Sequence, residues 1–358
     1  LPALIFIMLV SIPFAWMFLL PNSLIDFSKS ILYSLGFSSN FYFHYSGQQY
    51  DAESSLLKPF LHTWSLSVEE QYYIIFPIAL LIVFKFLRKY LIHILIIGLL
   101  ISLGIADWGS KNFSSLNFYY LPSRGWELLA GSILAYYEIK IGHRSLQKNL
   151  NLVLPSIGLL LILINIFFFK FHFPHPSIYT LPSIIGVCLI IWFSNSNELV
   201  TKILSSKLLV GFGLISYSLY LWHYPIFAFS RYVEDITGNQ TNIFFIISIL
   251  LLLSIFSFYF IEKPFRNRSS KKLPLKIIFI SIFLLLLVNF LIISKHGYKD
   301  RFQDIIVEKN YDGNLWDLLK DNQGKSCLSN KDLCFFNKNK KDKIFLIGDS
   351  HTAVLSLD

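Results

Sequence analysis

Leu61-His62-Thr63-Trp64-Ser65-Leu66-Ser67-Val68-Glu69-Glu70-Gln71-Tyr72-Tyr73 is the stretch on which the fold turns, because it leads straight into the apolar run Ile74 to Phe84. A run of that kind calls for a bilayer. A His, two adjacent carboxylates, a Gln and two tyrosines at its mouth are costly there unless they are paired or face water. The rest of the chain then reads as a membrane bundle that supplies partners to this mouth, followed by a tail of different character.

Composition agrees. Of 358 residues, 54% are hydrophobic and 15% charged, where soluble domains carry about a quarter charged residues. Thirty-five Phe, 19 Tyr and 7 Trp suit lipid-facing surface and interfacial belts. The net charge of +9 does not indicate nucleic acid, since the basic residues sit in short loops between apolar runs and act as topology signals. Nine apolar segments stand out: roughly Ala3–Leu20, Val68–Phe86, Tyr90–Ala106, Phe118–Tyr137, Leu152–Phe169, Ile178–Phe193, Leu209–Phe229, Ile243–Phe260 and Leu275–Ile293. Continuous rather than alternating hydrophobicity predicts helices, not a barrel. The expected fold is therefore an all-α polytopic membrane bundle of about nine transmembrane helices, followed by the start of an external α/β domain.

Alternate loops differ in Lys and Arg. One set holds Lys85, Arg88 and Lys89; Lys140, Arg144 and Lys148; Lys202 and Lys207; and Lys263, Arg266, Arg268, Lys271 and Lys272. The other holds Lys29 and Lys58, Lys111, Lys170 and Arg231. The first set is expected to be cytoplasmic, which sends the chain beyond Ile293 outside. The segment Pro21 to Leu61 then becomes a long external loop, with the aromatic cluster Phe41 to Tyr45 on the membrane surface. The chain opens on Leu1 inside an apolar run and closes soon after a strand-like segment, so both ends are expected to be cuts in a longer protein. Residues 1–294 form the expected membrane domain and 295–342 an external linker. Residues 343–358 form a first strand and turn. Cys188 lies in an apolar run and is expected to be inert, while Cys327 and Cys334 flank a polar loop suited to a disulfide in an oxidising compartment.

This topology gathers His62, Glu69, Arg124, Glu127 and His223 near the outer end of the bundle, suggesting a polar cavity that opens outward. A His serves as general base, a Glu orients it or takes a proton, and an Arg holds an anion or stabilises an oxyanion. Plainer readings stand beside these. His223 suits an interfacial anchor, and Arg124 with Glu127, three apart on one helix face, suits an ion pair locking two helices. Glu70 points to another face and is expected to be solvated. Glu262, in Tyr259 to Arg266, reads as part of a structural basic exit, capping or pairing with Lys263 or Arg266. In the tail, the strand-like Ile344 to Ile347 precedes Gly348-Asp349-Ser350-His351. That arrangement presents Ser350 at a helix start, where backbone N–H groups can hold an oxyanion.

Four blocks, Leu61–Pro77, Tyr120–Gly131, Ile215–Pro225 and Ile261–Arg266, resemble the acyltransferase-3 membrane O-acyltransferases. The match is to OafA/YrhL-like bacterial members fused to an SGNH-hydrolase-like domain. The resemblance implies transfer of an acyl group, usually acetyl from cytoplasmic acetyl-CoA, to hydroxyls of cell-envelope glycans in the bacterial cytoplasmic membrane. It implies no bound cofactor and no metal. It places Glu69, Tyr73, Arg124, Glu127 and His223 on motif positions, with His62 and Trp64 in the same block, Ser350 on the SGNH nucleophile, and Cys327 and Cys334 on the cysteine pair before it. The family's basic residue and His in the first membrane segment would precede Leu1, and the remaining SGNH blocks would follow Asp358. A transporter or flippase of a lipid-linked glycan is the competing reading, with the same ionisable residues lining a path.

Overall fold

The computed structural model describes residues 1–48, 54–168, 173–196, 198–266 and 272–302. Among these residues every regular element is helical. In order they are α1 (Pro2–Phe18), α2 (Pro21–Leu35), α3 (Ser39–Ser46), α4 (Thr63–Phe86), α5 (Leu91–Asn112), α6 (Ser114–Tyr119), α7 (Leu121–Ile141), α8 (Lys148–Phe168), α9 (Leu181–Phe193), α10 (Leu199–Leu204), α11 (Lys207–Thr237), α12 (Ile243–Ser257), α13 (Lys263–Arg266) and α14 (Lys272–Ser294). A π-helical turn, Phe258–Glu262, joins α12 to α13. The chain divides into two units, Leu1–Gly297 and Tyr298–Asp358. Of the second, the described part includes the 3₁₀ turn Lys299–Phe302. Cys327, Cys334, the strand expected at Ile344 to Ile347, and Ser350 lie outside the described residues.

The first unit buries many small polar residues beside its apolar core and turns an apolar surface outward. On α4, Ile74, Ile75, Ile78, Leu81 and Ile82 are all exposed, while Thr63, Ser67 and Val68 are buried. Ser28, Ser30, Ser34, Ser39, Asn40 and Asn289 are buried as well. Water would reject such a surface; lipid accepts it, and small polar residues then bind helix to helix. Among the described residues, five helices are long and apolar enough to cross a membrane: Thr63–Phe86, Arg88–Asn112, Lys148–Phe168, Ile243–Arg266 and Leu275–Ser294. Two shorter apolar helices, Pro2–Phe18 and Ile178–Phe193, accompany them. That is fewer than the nine spans expected. Two of the expected spans became α7 and α11, which are helical but carry Arg124, Glu127, Glu138 and Lys140, and Lys207, Arg231, Glu234 and Asp235 respectively. Pro13, Pro77, Pro155 and Pro225 all lie inside helices, where neighbouring helices can satisfy the freed backbone groups.

The segment Pro21 to Leu61 is not an open loop. It forms α2 and α3, and both pack into the bundle. Leu24, Phe27 and Ile31 of α2 are buried, and the Phe27 ring meets Phe60 at 5.6 Å and Phe229 at 6.5 Å. Of the aromatic cluster expected on the surface, Phe43 and His44 are buried, while Phe41 and Tyr45 remain exposed. Hydroxyls join the layers: Ser34 Oγ meets Thr63 Oγ1 at 2.7 Å, and Ser39 Oγ meets Ser67 Oγ at 2.7 Å. Helices α8 and α9 approach closely, and a Cβ at Gly158 would stand 2.6 Å from the Gly186 carbonyl oxygen. Only glycine permits that approach.

Candidate active site

The first turn of α4 holds two nests of side chains. The first is built on His62, the residue before α4, which is 5% exposed. Its ring lies 5.3 Å from His223, 5.2 Å from Tyr220 and 5.6 Å from Tyr224, stacking on the last. All three neighbours come from adjoining turns of α11. Burial first, and the neighbouring His223 second, hold the His62 pKa down at about 3, with the Pro59 carbonyl pulling the other way. His62 is therefore a neutral imidazole. Neither of its ring nitrogens forms a well-aligned hydrogen bond among the described residues.

His223 is oriented differently. Its Nδ1 lies 2.6 Å from the Tyr220 carbonyl oxygen. A carbonyl only accepts, so Nδ1 carries a proton, and the neutral ring then has its lone pair on Nε2. That tautomer is the one a general base needs. The Tyr220 hydroxyl donates to the His62 carbonyl. With that proton committed, Ser65 Oγ is the donor in its 2.6 Å bond to Tyr220. Glu69, one turn beyond Ser65, is half-buried and lies within electrostatic reach of Tyr220 and Tyr217. Tyr224 donates to the Ser55 carbonyl at 2.9 Å and Arg231 to the Leu56 carbonyl at 3.2 Å, which straps the turn Ser55–Leu57 onto α11.

The second nest surrounds Arg124. Its guanidinium lies over the rings of Trp64 at 4.6 Å and Phe118 at 5.0 Å. Nε donates to the Phe118 carbonyl at 2.9 Å. Nη1 stands 3.8 Å from Glu127, an ion pair too long for a hydrogen bond. Nη2 stands 3.4 Å from His175 Nε2. The Arg124 side chain is 13% exposed, so it is a stacked, largely desolvated cation with N–H groups to spare. The two nests meet at α4, since Trp64 belongs to one and Ser65 to the other.

The expected residues thus divide. His62 joins His223, and Arg124 joins Glu127 and Trp64. Glu69 lies two turns along α4 from His62. Tyr73 is 56% exposed, and its neighbour Tyr72 turns inward to bond Ser132 at 2.8 Å. Glu70 is half-buried and within electrostatic reach of Tyr217, not simply solvated. A cavity of about 340 Å³ lies between α5, α7 and α9 and is lined by Trp126, Tyr137, Cys188 and Trp192, not by the residues of either nest. Its lining is apolar.

Several members were not singled out from sequence. Ser65, Tyr220 and Tyr224 stood inside the quoted motifs without a role. His175 lies in a loop far along the chain. Glu262 was expected to cap the exit or pair with nearby cations; instead it is buried and accepts from the Ser218 hydroxyl. The π-helical turn Phe258–Glu262 rotates that last residue toward α11. Trp222 Nε1 donates to Ser257 Oγ at 2.7 Å and closes the same seam. Among the described residues no group of three or more His, Cys, Asp or Glu has the arrangement to hold a metal ion.

Comparison with known proteins places this geometry. Residues 28–262 match the acyltransferase domain of the acyltransferase-3 family. A Staphylococcus aureus (strain COL) protein named "Putative O-acetyltransferase SACOL0978" is 30% identical over 331 residues, covering 86% of this chain and 54% of its own length. The O-acetyltransferase OatA of Staphylococcus aureus (strain NCTC 8325 / PS 47) is 30% identical over 286 residues, covering 75% of this chain and 46% of its own. The chain thus spans about half the length of the curated relatives it matches. No solved structure matches. The domain match takes in both nests, the Arg124 side and the His223 side, and the apolar exterior agrees with it: the chain belongs to the acyltransferase-3 family of multi-pass membrane proteins.

Proposed function

We propose that this protein is a membrane O-acyltransferase that moves an acetyl group from acetyl-CoA to hydroxyls of a bacterial cell-envelope glycan. The family match and the O-acetyltransferase names of its relatives support the reaction class. The observation that carries the reading is the pair of nests on the first turn of α4: a His223 whose Nε2 is left as a base, and an Arg124 with donors to spare.

In this reading Arg124 holds the polarised carbonyl oxygen or an anionic group of the donor, with Trp64 and Phe118 fixing its plane and Glu127 steadying it. His223 Nε2 takes the proton from the attacking hydroxyl. The new C–O bond forms as the thioester C–S bond breaks, and the CoA thiolate leaves and takes up a proton. His62, neutral and desolvated, shapes the pocket wall, and the Ser65–Tyr220 bond holds the pair in register. Glu69 receives or orients the proton, and Tyr73 lies at the rim. Residues 1–294 form the membrane domain in the cytoplasmic membrane, with the donor entering from the basic inner face. Residues 295–342, with Cys327 and Cys334 as a disulfide, lead to an external SGNH-like region at 343–358. There, in the intact protein, Ser350 Oγ takes the acyl group from the ester first formed, whose C–O bond breaks as the Ser350 ester forms, and a glycan hydroxyl then displaces Ser350 Oγ, which recovers a proton.

Labelled acetyl-CoA supplied to inverted vesicles carrying the intact protein tests this. Label should reach the glycan and be lost in His223→Ala and Arg124→Ala at equal protein level. Full transfer by both variants would refute the site; absence of transfer by the unaltered protein, with glycan export impaired on deletion, would refute the reaction.

A further inference from the structure

His175 contributes to the second nest from a loop far away in sequence. Its Nε2 faces Arg124 Nη2 at 3.4 Å, and its ring stands edge-on to Phe118 at 6.2 Å. Arg has only donors, so this contact requires a neutral His175 whose Nε2 is unprotonated. The loop is held from behind. Asn117, 2% exposed, donates to the Pro176 carbonyl at 2.9 Å and to the Ala106 carbonyl at 3.1 Å. Ser177, fully buried, donates to the Pro174 carbonyl at 2.6 Å. Ser123 donates to the Asn117 carbonyl. His175 is thus fixed by α5, α6 and α7 together, though it belongs to none of them.

We propose that His175 is a positioning residue for Arg124. Its Nε2 accepts one guanidinium N–H, and together with Trp64, Phe118 and Glu127 it fixes the plane in which the remaining N–H groups meet the acyl donor. The role rests on the reading of Arg124 as the donor-holding group. The charged groups facing His175 are Arg124 and, behind it, Glu127. His175 is exposed on its outer side; partial desolvation first and the Arg124 charge second lower its pKa, which favours the neutral acceptor form that the 3.4 Å contact requires.

The experiment compares His175→Ala and His175→Gln in the full-length protein in membranes, with two readouts. One is steady-state acetyl transfer at varied acetyl-CoA. The other is the rate at which phenylglyoxal modifies Arg124, followed by mass spectrometry of the corresponding peptide. His175→Ala should raise KM for the donor about fivefold, with a smaller change in kcat, as for the loss of one long hydrogen bond worth no more than an ordinary neutral one. It should also speed Arg124 modification several-fold. His175→Gln supplies an amide oxygen near the same place and should restore both. An unchanged modification rate in His175→Ala, or a Gln variant as impaired as the Ala variant, overturns the proposal. If the unaltered protein transfers no acetyl group, the proposed function falls, and the modification rate alone still decides for or against His175.

Discussion

Asn117→Ala is the sharpest test of how the second nest is assembled. Asn117 sits where α5, α6, α7 and the His175 loop converge, and Nδ2 donates to two carbonyls from different segments. Both partners are pure acceptors, so the amide orientation is dictated by chemistry. Removing the amide leaves the Pro176 carbonyl buried without that donor, while the Ala106 carbonyl keeps its helical environment. One buried acceptor stranded and one further bond lost, offset in part by removal of the buried and unpartnered Asn117 Oδ1, amount to about 1–3 kcal/mol. The cavity cannot be refilled by a simple shift, because Asn117 already crowds Gly109: a Cβ there would lie 3.0 Å from the Asn117 Cγ. Denaturant titration of the purified protein in detergent measures the loss, and Arg124 modification reports the released loop. Asn117→Asp keeps the shape but turns an acceptor toward both carbonyls, so it should be at least as damaging as alanine. A loss below about 0.5 kcal/mol for Asn117→Ala, the range of ordinary surface changes, or an Asp variant clearly milder than Ala, would refute the reasoning.

Further outcomes follow from the same contacts. Tyr220→Phe removes the donor to the His62 carbonyl and the acceptor of Ser65; acetyl transfer should fall severalfold with little change in protein level, and an unchanged rate would remove Tyr220 from the site. Trp64→Leu should cost about 0.5–2 kcal/mol of cation–π stabilisation, seen as faster Arg124 modification. Gly158→Val should separate α8 from α9 and lower the thermal midpoint, since its side chain would collide with the Gly186 carbonyl; a midpoint equal to the parent's would contradict that packing. His175 has a folded pKa near 4, below its unfolded value of about 6.5, and burial also lowers that of His44. The unfolded chain therefore binds more protons between these values, so stability should rise with pH from about 4 to 6.5 and level off above. His175→Gln should flatten that rise.

The sequence alone determined that the chain is a helical membrane protein. A continuous apolar run has few other solutions in lipid, and the cost of burying His62, Arg124 or His223 without partners marks each as a position of consequence. It also determined the family, through four motif blocks in order. It misread Pro21 to Leu61 for a physical reason. In a bilayer the buried face of a helix is the small and polar one, so α2 and α3, with Ser28, Ser30, Ser34, Ser39 and Asn40 turned inward, read as loop. Only the tertiary structure decided which ionisable groups meet. Residue spacing carries one helix face and no further. The 51 residues between Arg124 and His175, and the 161 between His62 and His223, are closed by packing rather than by pattern. The turn of Glu262 toward Ser218 was likewise settled by the π-helical turn that rotates it.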